Sequence, residues 1–179
     1  MALILIAHEP GWIRQAGELI DTLSELLAPD VLRLDHVGST AVPALAAKPK
    51  LHIDVVAKTG IPPERLRARL QPFGYVDHGH RFSNDEIQMT RPTACPRGGP
   101  SARSPSAIRS HRLCLCTATA KAAPRRRRFR DALLASPELA WQYQELKLRL
   151  AEEAGTPPDW DHYTSGKTAF IEAVLAGAR

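Results

Sequence analysis

Apolar side chains recur at helical spacing across residues 12–27: Trp12, Ala16, Leu19, Ile20, Leu23, Leu26 and Leu27. They form one stripe of a 3.6-residue repeat and predict an amphipathic helix, which Ala28-Pro29-Asp30 ends. The period then changes. Val31–Val37 reads as a strand running into the turn Gly38-Ser39. Residues 50–58 alternate, so Leu51, Ile53 and Val55 share one face of a strand while His52 and Asp54 share the other. Between these strands, Pro43 and Pro49 bracket an alanine-rich segment with room for at most two helical turns. A second helix is predicted after Pro62-Pro63, two prolines suited to a first turn. Leu66, Leu70 and Phe73 make its stripe and Gly74 its stop. Tyr75-Val76 opens a further strand, and residues 81–91 read as extended.

The pattern weakens over 92–110, a stretch rich in Pro, Arg, Ser, Ala and Gly that reads as a mobile loop or insertion. His111–Cys116 is a short strand. The arginine run Arg125, Arg126, Arg127, Arg128 starts a helix that reaches about residue 135. Ser136 is placed to cap the next helix and Pro137 to occupy its first turn. Leu139, Trp141, Tyr143, Leu146, Leu150 and Ala151 carry that helix to about residue 154. Gly155-Thr156-Pro157-Pro158 breaks it, residues 159–163 read as a loop with an aromatic anchor, and a last helix spans about 164–178 with Phe170, Ile171, Val174 and Leu175 inward. The order predicts an α/β (α+β) domain over 1–179: a mixed sheet flanked by helices, with a core over about 1–120 and a helical region over about 125–179.

Composition narrows the classes. No apolar run approaches the roughly 20 residues that span a bilayer, so no membrane partner is expected. The apolar opening has no basic leader and meets His8-Glu9-Pro10 at once. Three cysteines (Cys95, Cys114, Cys116) make no disulfide framework, and a reducing cytoplasm is the expected location. The net charge of +5 is local: residues 91–130 carry eleven Lys or Arg and no Asp or Glu, leaving thirteen basic and nineteen acidic residues elsewhere. The arginine run lacks interleaved aromatics, so a solvated helix face or pairing with the acidic remainder is expected ahead of nucleic-acid binding.

Candidate chemistry centres on the first two strands. Gly38 permits positive φ and close approach, and Ser39 offers a hydroxyl and an N–H, as a phosphate site needs. The same pair also suits an ordinary strand-to-helix turn. An Asp54 carboxylate suits Mg²⁺, and the His52 imidazole prefers Mn²⁺ or Zn²⁺. The alternative for this pair is a half-buried histidine and a salt-bridged aspartate. Lys48, Arg81 and Arg91 are further cations for an anionic ligand. Ser165-Gly166-Lys167-Thr168 is no P-loop, because Asp161 stands where that motif needs glycine and no strand precedes it. Cys114 and Cys116 share one strand face as buried small apolar residues, with His111 on the other.

Residues 35–49, Asp35-His36-Val37-Gly38-Ser39-Thr40-Ala41-Val42-Pro43-Ala44-Leu45-Ala46-Ala47-Lys48-Pro49, resemble the signature of the GrpB family. Trp12, the stretches 129–134, 137–140 and 143–150, and Tyr163, Lys167 and Phe170 also match it. The resemblance implies a nucleotidyltransferase-like fold. It implies a nucleotide or phosphorylated small molecule at Gly38, Ser39, Thr40 and Lys48, with His36, Tyr163 and Lys167 near the pocket. Nucleotidyltransferases follow such a turn with a strand bearing two acidic residues that hold cations. Here His52 takes the first acidic position and Asp54 the second, as candidate catalytic residues. His111, where the family has a histidine, would complete a metal set of Asp54, His52 and His111. Two readings remain: a nucleotidyltransferase-like enzyme, or a non-catalytic ligand-binding or accessory module, like the GrpB-like domains attached to dephospho-CoA kinases. The His52 replacement favours the module.

Overall fold

The computed structural model describes residues 3–81, 83–91 and 110–177. Cys95 and all but the last residue of the expected 92–110 loop lie outside them. The first helix, α1, is Gly11–Leu27. Its Trp12, Ala16, Leu19, Leu23 and Leu27 are all buried, as their spacing requires. Strand β1 (Val31–Val37) and strand β2 (Leu51–Ala57) pair antiparallel, with Asp35 opposite Asp54 and Val37 opposite His52. Helix α2 is Pro63–Leu70, and Gly74 ends its 3-10 extension in the left-handed conformation. Strands β3 (Val76–Asp77), β4 (Glu86–Arg91) and β5 (His111–Cys116) complete a mixed sheet in the order β1-β2-β5-β4-β3. Among the described strands only β2 and β5 run parallel; the other neighbours are antiparallel.

Alternation along these strands divides the sheet into two faces. Leu51, Ile53, Val55, Leu113, Leu115, Ile87 and Met89 form the main core with α1 and α2. The opposite face carries His52, Asp54 and Val56 of β2, Arg112, Cys114 and Cys116 of β5, and Glu86, Gln88 and Thr90 of β4. Helix α3 (Ala122–Ala135) covers it: Val56, Cys114, Cys116 and Ala123 pack together there. With both faces covered, β2 is buried almost throughout, as parallel-paired strands usually are.

Three helices follow. Helix α4 is Pro137–Glu153, capped by Ser136, whose Oγ accepts from the Leu139 N–H at 3.3 Å. Helix α5 is Trp160–Ser165 and α6 is Thr168–Gly177. Phe129, Tyr143 and Phe170 interlock α3, α4 and α6, with ring centroids 5.0 Å apart for Phe129–Tyr143 and 5.4 Å for Tyr143–Phe170. Among the described residues, no helix is long and apolar enough to cross a membrane.

Three local expectations change. The helical turn between β1 and β2 is Ser39–Ala41, ahead of the alanine-rich segment. Residues 43–49 are not helical: Ala44 has φ +65° and Ala47 pairs with Ile6 through two backbone hydrogen bonds. The two prolines favour that extended path. Residues 159–163 are not a loop, because Asp159 accepts from the Asp161 and His162 N–H groups and starts α5. The expected final helix is accordingly two helices, divided at Gly166-Lys167.

Candidate functional site

The turn after β1 is built around Gly38, at φ +75° and ψ −174°, a region open essentially to glycine. A Cβ there would lie 3.3 Å from His52 Nδ1, so the turn packs directly on the second strand. Ser39 is half-buried and Thr40 buried. The Thr40 hydroxyl is bonded to His36 Nε2 at 2.9 Å. His36 pairs with Ile53, on the core face, so it braces the turn from behind and does not line a common pocket with His52. Burial, then Arg130 and His8, lower its pKa to about 4.

Helix α4 approaches the same turn. Lys147, only 2 % exposed, donates from Nζ to Ser39 Oγ at 3.2 Å and to the Ala46 carbonyl. Its Nζ lies 5.1 Å from the Tyr143 ring centroid. Lys48 Nζ lies 4.9 Å from the Trp160 ring and 5.1 Å from the Tyr163 ring, and Lys167 Nζ 3.9 Å from the Tyr163 ring. Aromatic faces thus seat three ammonium groups. Among the described residues no carboxylate lies within ion-pair distance of them. Each has a depressed pKa. Burial, then Lys167 and Lys48, bring Lys147 to about 7. Burial, then Lys48, bring Lys167 to about 8. Lys48 is lowered by burial, then by Arg112 and Lys50. His52 feels the same field: burial, then Arg112, Lys48, Lys50 and Arg126, hold it well below the ordinary range. The neighbourhood of Gly38, Ser39 and His52 is therefore electropositive.

Asp54 faces the same side as His52, one step further along β2, and is 1 % exposed. Arg126 of α3 occupies it. The Arg126 Nε lies 3.0 and 2.9 Å from the two Asp54 oxygens, and Nη2 lies 2.8 Å from Glu86 Oε2. Nη2 also reaches Cys116 Sγ at 3.4 Å. Burial pushes the Asp54 carboxyl up to about 6; Arg126 opposes this, and Glu86 and Asp35 reinforce it. Burial disfavours the guanidinium charge, but Asp54 and Glu86 outweigh it and raise the Arg126 pKa. Asp35, the cross-strand neighbour of Asp54, has its own cation in Arg33, 2.6 Å away.

Several expectations need correction. His111 cannot join Asp54 and His52: it pairs with Leu51 on the core face, is fully buried, and shares a 2.8 Å hydrogen bond with the Tyr75 hydroxyl. No group of three His, Cys, Asp or Glu among the described residues is placed to hold a metal ion. The Mg²⁺, Mn²⁺ or Zn²⁺ set expected at Asp54, His52 and His111 therefore does not fit. Arg91 is buried on the core face, where it donates to the Phe73 carbonyl. Arg81 lies near enough to Arg112 to lower the latter's pKa. Tyr163 and Lys167 lie beside Lys48, and both lysines are near enough to Lys147 to lower its pKa. A cavity of about 410 Å³ opens elsewhere, lined by Ser83, Asp85, Lys121, Arg125, Arg126 and Phe129 among others, and not by Gly38 or Ser39.

Sequence reasoning missed Lys147, Arg126 and Glu86. Each carried a signal. Lys147 stands on the stripe of Tyr143, Leu150 and Ala154, where an apolar residue is expected. Arg126 shares helical phase with Ala123, Arg130 and Leu133, which separates it from its neighbours in the arginine run. Glu86, Gln88 and Thr90 alternate with Ile87 and Met89 on β4.

A UPF0157 protein of Pseudomonas aeruginosa is 31% identical over 97% of this chain, which spans 66% of that relative. The UPF0157 protein YqkA of Bacillus subtilis is 25% identical over 98% of this chain, which spans 47% of it. The chain thus covers less than two thirds of these two relatives. A crystal structure of the conserved protein GrpB from Enterococcus faecalis superposes with a TM-score of 0.75, at 27% identity, covering 98% of this chain and 96% of that one. The family model described as GrpB protein matches residues 2–177, and the chain belongs to that family.

Proposed function

We propose that this protein is a ligand-binding module that holds a phosphorylated small molecule, such as a nucleotide, at the Gly38-Ser39 turn. One observation carries the reading. Lys147 reaches Ser39, and Lys48 and Lys167 gather near it on aromatic rings, with no carboxylate in ion-pair range among the described residues. Ammonium groups crowded in this way repel one another, and a phosphate between them would replace repulsion with charge-assisted hydrogen bonds. Gly38 and Lys48 are exposed, and Ser39 and Lys167 are half-buried, so a ligand can reach the turn from solvent. A neutral His52 beneath Gly38 adds a polar ring without adding charge. Nucleotidyl transfer would instead need Asp54 to act on a hydroxyl or a cation, and Arg126 already takes both of its oxygens. That bond favours binding without transfer. The cytoplasm is the compartment in which we place this role.

Titration calorimetry with ATP, pyrophosphate and inorganic phosphate tests the reading. Saturable binding of at least one, weakened about tenfold by Lys48→Met and by Lys167→Met, is expected. Undetectable binding of all three, or equal affinity in the variants, would refute it, as would release of pyrophosphate from ATP.

A further inference from the structure

The nucleotidyltransferase-like fold implied by the family resemblance suggests a divalent cation at the second strand, and the residues present disagree with that implication. We propose that the Arg126 guanidinium, and not a metal ion, is the resident cation of the Asp54–Glu86 pair, making α3 a built-in counter-ion for the sheet.

Four observations carry this. Arg126 bonds both carboxylates from one edge: Nε to Asp54 and Nη2 to Glu86. The two acidic side chains are 1 % and 3 % exposed, whereas that of Arg126 is 31 % exposed, so a cation arriving from solvent meets the arginine first. Cys116, a soft donor on the same face, is held within the same arrangement, 3.4 Å from Nη2. The surrounding charge is positive, with Arg112, Lys48 and Lys50 all acting on the adjacent His52. Mg²⁺ binds with only one or two carboxylates when phosphates supply the rest, and keeps several waters. A buried carboxylate pair bridged by one planar guanidinium, with Nε on Asp54 and Nη2 on Glu86, leaves the metal no open coordination position between them.

The inference is independent of the lysine cluster, and its test uses metal binding and stability in place of ligand binding. Mn²⁺ titration of the wild-type chain, followed by electron paramagnetic resonance, is expected to show no saturable site. Melting temperature is expected to be the same in EDTA and in excess Mg²⁺ or Mn²⁺. Arg126→Lys keeps a charge but cannot bridge both acids, and it is expected to lower the melting temperature. Combining Arg126→Met with Asp54→Asn and Glu86→Gln is expected to cost less than Arg126→Met alone, because no uncompensated carboxylate remains. Saturable Mn²⁺ binding by the wild-type chain, lost in Asp54→Asn, would overturn the proposal whether or not any arginine variant folds. An unchanged melting temperature in Arg126→Lys would overturn it too.

Discussion

The Lys147 ammonium lies 3.2 Å from the Ser39 hydroxyl, joining α4 to the turn after β1 across 108 positions of sequence. This contact makes Lys147 the most buried cation of the proposed site. Lys147→Met keeps the length and apolar stem of the side chain and removes the charge. Affinity for the best-binding phosphate compound is expected to fall about tenfold, near 1.4 kcal/mol, while the far-ultraviolet spectrum stays that of the wild type. Unaltered affinity would remove Lys147 from the site.

Lys147 also sets a pH dependence with two opposite slopes. It loses its proton at about 7 in the folded chain, against 10.5 for an ordinary lysine. Between those values the unfolded chain binds more protons, so the stability of the free protein is expected to rise with pH across that window. An anion prefers the ammonium form, so ligand affinity is expected to fall as pH rises through the Lys147 and Lys167 transitions, at about 7 and about 8. Melting curves and calorimetry at matched pH values check both slopes. Lys147→Met is expected to flatten the first.

Gly38 and Gly17 should respond to alanine in opposite directions. Gly38→Ala forces an L-residue into an essentially glycine-only conformation and brings a methyl group to 3.3 Å from His52 Nδ1. A loss of about 1–3 kcal/mol in chemical denaturation is expected. Gly17 is exposed within α1 with nothing within 4 Å of an added Cβ. Gly17→Ala is expected to gain roughly 0.5–1 kcal/mol from reduced backbone entropy in the unfolded chain.

Removing the Tyr75 hydroxyl separates the core histidine from the site. Tyr75→Phe deletes the 2.8 Å hydrogen bond to His111. Stability is expected to drop by about 1 kcal/mol. Phosphate-ligand affinity should not move, because His111 faces the other side of the sheet from His52. A parallel loss of affinity would return His111 to the functional residues.

Much of the fold was legible because local period and punctuation determine it. The stripe of α1, the alternation of β2, the Ser136-Pro137 start of α4 and the strand His111–Cys116 each follow from neighbours in sequence. The alternation of β2 also placed His52 and Asp54 on one face. What stayed hidden depends on pairing between distant segments. That His111 falls behind the sheet follows from its register with Leu51. That Asp54 takes its salt-bridged alternative follows from Arg126, 72 positions away. Lys147 went unremarked in the sequence because the turn it reaches lies 108 positions away. Gly38, Ser39, Lys48 and Lys167 were all named from the sequence; Lys147 was not, because no local pattern specifies that α4 docks on the Ser39 turn.

The parallel alignment of β2 and β5 has a kinetic corollary. Two adjacent parallel strands cannot be closed by a hairpin, and here everything from residue 58 to 110 must be laid down before they meet. Long-range closures of this kind slow folding. A ribosome-bound chain that has emerged only through β2 holds Gly38, Ser39, Lys48 and Asp54 but neither Arg126 nor Lys147. In such a nascent fragment the carboxylate lacks its guanidinium and the turn lacks its deepest amine, so the proposed site is completed late in synthesis, with the helical half.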